Sequence, residues 1–169
     1  TCAKLSPSDL FQIALTFGTR CKQPIAEYLV ELGHVPILKG DWLKANEYLF
    51  QSLALFGQIN DDPDNNHDIA LILHRVAMNN RELGEGEKAL EQMHNAMWFM
   101  TESGKRDDHY INLLVDFGLT LEEVTKDHEL SQSKFVEACI DLMMNKADEP
   151  AIHYVLKHID AEHLMLVAH

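Results

Sequence analysis

The chain has 169 residues, 46% of them hydrophobic, which suffices for one domain around a continuous core and falls short of two. With 14 basic residues against 27 acidic ones its formal charge is −13, so no basic stripe is available for phosphates and long-range repulsion opposes a polyanion. Direct nucleic-acid binding is therefore not expected. Arg75 with Arg81, and Lys105 with Arg106, are basic pairs that lie beside acidic neighbours. Cys2, Cys21 and Cys139 are an odd set at unrelated spacings, fitting neither a disulfide framework nor a CxxC site, which points to a reducing, cytoplasmic setting. No apolar run reaches the roughly 18 residues of a membrane span. Because it opens on Thr1 rather than Met, the chain reads as a segment cut from a longer protein or one that has lost a leader.

Apolar residues recur at three and four positions rather than two, and β-branched residues are sparse, so helix is expected from end to end. Ser6-Pro7-Ser8-Asp9 opens the first helix, which continues through Leu10, Phe11, Ile13, Ala14 and Phe17 to a stop near Gly18. Further breaks are expected around Pro24, Gly40, the run Asp61 to Asn66, Gly84, Ser103-Gly104-Lys105, and Ala147 to Pro150, which makes about eight helices joined by short turns.

An internal repeat organises these helices. Gly33, Ala77 and Gly118 each follow a Leu four residues earlier (Leu29, Leu73, Leu114) and an apolar neighbour immediately before (Leu32, Val76, Phe117). A second helix then carries a small, large, small triplet: Ala45, Leu49, Ser52; Ala89, Met93, Ala96; Ser131, Phe135, Ala138. The two small columns are 12 residues apart in units one and two and 13 in unit three, while successive units are 44 and then 41 to 42 residues apart. Small residues belong where two antiparallel helices joined by a short turn approach closely, and one such hairpin must stack on a neighbour to bury its apolar face.

These columns resemble the tetratricopeptide repeat. Unit two, with Gly84 at the turn, is most similar to the family, and Gly40 occupies the same place in unit one; the resemblance covers residues 24 to 146. It departs at Pro36 and Asn80, where the family carries an aromatic residue, at unit three, which lacks a turn glycine, and in a period longer than the usual of about 34 residues. Pro36 is expected to shorten or kink its helix. The long period resembles variants in peptide-sensing bacterial regulators and some eukaryotic scaffold proteins.

The resemblance implies an all-α fold, a right-handed superhelix of antiparallel helix hairpins in a single helical-repeat domain over residues 1–169. Its parts are an N-terminal helix at 6–20, repeats at 24–57, 66–103 and 107–146, and a capping helix at 150–167. It also implies that the first helices line a concave surface holding a partner's peptide or helix. Carried onto this chain, that surface comprises His34, His74, Met78, Arg81, Glu82, Asn112, Val115 and Leu119. Met78, Val115 and Leu119 would take an apolar anchor, and His74, Arg81 and Asn112 would bond a backbone or carboxylate; packing on adjoining helices is the competing role. The basic carboxylate clamp of chaperone-binding members is missing, which argues against a heat-shock cochaperone.

Catalytic chemistry is weakly encoded. Glu31 with His34 and Glu91 with His94 have the Glu-x-x-His spacing of di-metal bundles, with Glu47 and Glu137 as further carboxylates, yet the two pairs fall on different helices of their hairpins. Asp62, Asp64 and Asn66 alternate like a calcium loop but lack its glycine and closing Glu. His153, His158 and His163, five apart, are expected to spread around the last helix, and Trp42 and Trp98 to fill gaps between hairpins. The expected function is thus a non-enzymatic interaction module without cofactor, metal or membrane contact, binding a protein or peptide, with homodimerisation left open. The alternatives are a peptide-sensing or dimerisation domain of a bacterial transcription regulator, a small acidic secretion chaperone and, last, a di-metal carboxylate enzyme.

Overall fold

The computed structural model describes residues 5–16, 19–59 and 63–167, with the side chains of 19, 20, 63, 64 and 166 outside the description. Among these residues the fold is all-helical: α1 (Pro7–Thr16), α2 (Thr19–Leu38), α3 (Trp42–Phe56), α4 (Pro63–Glu82), α5 (Gly86–Ser103), α6 (Asp108–Val124), α7 (His128–Met144), α8 (Glu149–Leu156) and α9 (Ala161–Val167). The expected stop at Gly18 lies outside the described residues. Adjacent helices pack in pairs, α2 with α3, α4 with α5 and α6 with α7; α3 also packs on α4, α5 on α6, and α8 and α9 on α7. This pairing is compatible with a helical repeat.

Local chemistry starts the helices. Ser6 and Asp9 form a reciprocal capping box, the Asp9 backbone N–H donating to Ser6 Oγ at 3.1 Å and the Ser6 N–H to Asp9 Oδ2 at 2.9 Å, with Pro7 at the first helical position. Asp41, Asp107, Asp127 and Asp148 cap α3, α6, α7 and α8 by accepting backbone N–H bonds, so part of the acidic excess serves helix starts. Each hairpin turn holds three residues, and the middle one is left-handed: Gly40 (φ 72°), Gly84 (φ 75°) and Lys126 (φ 59°). Unit three therefore turns without glycine by placing Lys126 in a conformation that costs an L-residue about 1–2 kcal/mol. Its extra residue lies in the last turn of α6, which runs six residues past Gly118 where α2 and α4 run five past Gly33 and Ala77.

Two proline expectations fail. No break occurs at Pro24, which lies inside α2, and Pro36 does not shorten that helix, which continues to Leu38. Pro36 falls in the closing turn, is buried, and its carbonyl accepts the Lys39 and Asp41 N–H groups at 3.0 and 2.9 Å. The missing N–H costs one ladder bond at each proline, a loss that the packing of α2 on α3 outweighs. Likewise α4 begins at Pro63, so Asn65 and Asn66 are helical and not linker.

The repeat columns form the hairpin contacts. Ala45, Leu49, Ser52, Ala89, Met93, Ala96, Ser131, Phe135 and Ala138 are all buried. Ser52 Oγ donates to the Ala26 carbonyl at 2.8 Å and Ser131 Oγ to the Gly118 carbonyl at 2.9 Å, distances that require the backbones to approach closely. The residue after the first small one reaches the next unit in two cases. Asn46 Nδ2 donates to Asn80 Oδ1 at 3.0 Å while Asn79 Nδ2 donates to Asn46 Oδ1 at 2.8 Å. Gln132 Nε2 donates to the His158 carbonyl at 3.0 Å, and its Oε1 accepts the Asp160 N–H at 2.9 Å. Asn80 thus serves as a buried polar joint.

The C-terminal cap differs from the single expected helix. His158 lies in the turn between α8 and α9, where Gln132 satisfies the turn's backbone, and Asp160 caps α9 through the His163 N–H. His163 contacts Asp160 and Glu129, and His128 of α7 contacts Asp160 and Glu122. Hydrogen bonds to Asp160 raise the proton affinity of both imidazoles, while bonds from His163 and His128 hold the Asp160 carboxyl well below its usual range. A raised histidine contributes below its unfolded value of 6.5 and is lost as pH rises through its folded value; a depressed aspartate contributes above 3.8 and is lost on acidification. Docking of α9 on α7 is accordingly tightest in mildly acid solution. Amide-exchange protection of α9, corrected for intrinsic rates, is expected to fall as pH rises above the unfolded histidine value of 6.5. Protection that stays flat, or a fall that persists in Asp160→Asn, would contradict this coupling.

Candidate functional site

The first helices of the three pairs, α2, α4 and α6, meet along two seams of different character. Between α4 and α6, residues one heptad apart on α4 each reach a carboxylate: His67 to Asp107 at 2.9 Å, His74 to Asp116 at 2.8 Å and Arg81 to Glu123 at 3.0 Å. These pairs fasten the seam along its length. Between α2 and α4, Arg75 donates to His34 Nε2, and a cleft opens on either side of this bond.

The first cleft, of about 310 Å³, has Phe56 and Ile72 at its base, Val30 and Leu71 on its walls, and Glu27, Glu31 and Asp68 around it. The second, of about 470 Å³, is lined by Ile37, Trp42, His74, Met78, Asn79 and Glu82. Arg75 lines each cleft, and His34 lines the second. Burial lowers the proton affinity of His34, helped by the charge of Arg75, and burial lowers that of Arg75 itself. The imidazole is held neutral, so Nε2 can accept from the guanidinium.

The eight expected surface residues are thus divided. His34, His74, Met78 and Glu82 line the second α2–α4 cleft. Asn112 and Val115 line a separate cavity of about 640 Å³ between α6, α7 and α8, bordered by Tyr154, Ala151 and Asp148. Arg81 borders a smaller recess at the α4–α5 turn with Glu123, and Leu119 packs half-buried on the core. His74 and Arg81 spend polar atoms on Asp116 and Glu123, which makes them seam fasteners as well as lining. Trp98, expected between hairpins, is instead 58% exposed on α5, edge-on to Phe99.

The residue columns did not identify Glu27, Val30, Leu71, Ile72 and Arg75. Their signal was present: Glu27, Val30, Glu31 and His34 on α2 have the same spacing as Asp68, Leu71, Ile72 and Arg75 on α4, displaced by 41 residues where the small-residue column is displaced by 44. Facing sides of two neighbouring helices are not the same side of each, so a search by equivalent columns passes over them. The Glu-x-x-His pairs find other partners, His34 meeting Arg75 and His94 standing edge-on to Phe117. Among the described residues no three His, Cys, Asp or Glu side chains stand close enough to hold a metal ion, and no helix is long and apolar enough to cross a membrane. No protein-family model and no curated protein matches this sequence.

Proposed function

We propose that this chain is a non-enzymatic interaction module, a right-handed helical repeat of the tetratricopeptide kind, that holds a peptide segment or helix of a partner protein along its first helices. The observation that carries this reading is the open α2–α4 seam, whose two clefts, one floored by Phe56 and Ile72 and the other lined in part by Ile37, Trp42 and Met78, lie beside a seam fastened by side-chain hydrogen bonds. Clefts that combine apolar lining with a few polar groups suit side-chain anchors. The close-packed hairpins behind them support the same reading by providing a rigid scaffold, with Ala45, Leu49, Ala89 and Met93 fully buried.

Val30→Gln combined with Met78→Gln removes apolar lining from both clefts without changing charge, and both positions are half-buried. A partner retained from native extract by the wild-type chain is expected to lose about tenfold or more in affinity, while the melting temperature changes by only a few degrees. Undiminished binding of that partner to a folded double variant would remove the α2–α4 seam as the site.

A further inference from the structure

The geometry points to a basic amphipathic helix of the partner as the occupant of the α2–α4 seam, with two apolar anchors seven residues apart and lysine or arginine flanking them. This rests on the binding role proposed above and adds the chemistry of the ligand.

Anchor spacing comes from α4. Leu71 lines the first cleft and Met78 the second, a separation of one heptad, or about 10 Å along the helix axis. A ligand helix lying along the seam repeats a side chain on one face at the same interval, so its positions i and i+7 enter the two clefts together. The His34 to Arg75 bond forms the ridge between them, over which a small residue must pass.

Charge selects the flanks. Glu27 and Glu31, both exposed, border the first cleft, and exposed Glu82 borders the second. Among the described residues lining the two clefts, Arg75 alone carries a guanidinium or ammonium group, and it is half-buried against neutral His34. The ligand therefore places cations beside its first anchor and beyond its second, and an uncharged residue over Arg75. The chain's charge of −13 steers such a segment inward and repels an acidic one. The α4–α6 seam is closed by its side-chain hydrogen bonds, so the contact ends at α4.

The test titrates the whole chain into a labelled, end-capped synthetic helix of about 16 residues with Leu at i and i+7, Ser between them and Lys on both flanks. Two controls carry Glu for Lys, or Leu at i and i+4. The Lys peptide is expected to bind about tenfold or more tightly than either control, with affinity falling as salt rises. Glu27→Gln with Glu31→Gln is expected to abolish most of the preference for Lys over Glu without lowering the melting temperature, since both side chains are exposed. Equal binding of the Glu peptide, absence of binding by the Lys peptide, or a preference that survives the double Gln variant overturns the inference. If the native partner is lost on Val30→Gln with Met78→Gln yet engages through an acidic or extended segment, the binding role stands and the basic helix falls. If that variant retains the partner, the role itself falls.

Discussion

Gly118→Ala is expected to destabilise the fold by about 1–3 kcal/mol, lowering the melting temperature by roughly 2–12 °C, whereas Gly33→Ala is expected to raise stability by about 0.5–1 kcal/mol. The two glycines occupy the same repeat column, and their surroundings give the opposite signs. A Cβ on Gly118 would stand 2.7 Å from Phe135 Cε1 and 2.9 Å from Cζ. The ring has little room to retreat: Phe135 is buried, stacks on His158 with centroids 5.2 Å apart, and belongs to a helix held to α6 by the Ser131 bond to the Gly118 carbonyl. At Gly33 the added atom meets Leu49 at 3.5 Å and the Ala45 carbonyl at 3.6 Å, ordinary contact, leaving the helical preference for alanine to prevail. Thermal unfolding monitored at 222 nm decides this; equal effects at both positions would mean that α6 and α7 do not approach as described.

Asn46→Leu is expected to cost about 2–5 kcal/mol, because it strands a donor on Asn79 and an acceptor on Asn80 in the interior. Asn46 is 7% exposed, and its amide accepts from one neighbour while donating to the other. Removing all three amides in Asn46→Leu, Asn79→Leu and Asn80→Leu eliminates the stranded groups, so the triple variant should regain much of the loss despite carrying more changes. Urea denaturation of the single and triple variants measures the difference. A triple variant less stable than Asn46→Leu would show that shape at the α3–α4 joint, and not hydrogen bonding, dominates there.

The order of most helices was legible because their boundaries carry local chemistry. Ser6-Pro7-Ser8-Asp9, Gly40, Gly84, Gly104 and Asp148 with Pro150 act within a turn of themselves. The small-residue columns were legible for a related reason: close approach of paired helices tolerates few side chains, and the need recurs in each unit. Prolines misled where a local rule met tertiary packing. Pro24 and Pro36 each remove an N–H, but neighbouring helix surface outweighs one lost bond. Lys126 hides a turn for the converse reason, since a left-handed lysine leaves no mark in sequence.

The amino-acid sequence by itself determined an acidic, all-helical chain, the approximate ends of its helices, and the residues at which paired helices touch, because all of these follow from propensity, capping and side-chain size over short distances. Only the tertiary structure decided which faces of α2, α4 and α6 confront one another. That depends on helix rotation and stagger, quantities set by packing summed over whole interfaces. It converted His74 and Arg81 into fasteners of one seam, and brought Glu27, Val30, Leu71 and Ile72, 41 to 45 positions apart across the two helices, around the cleft of the other.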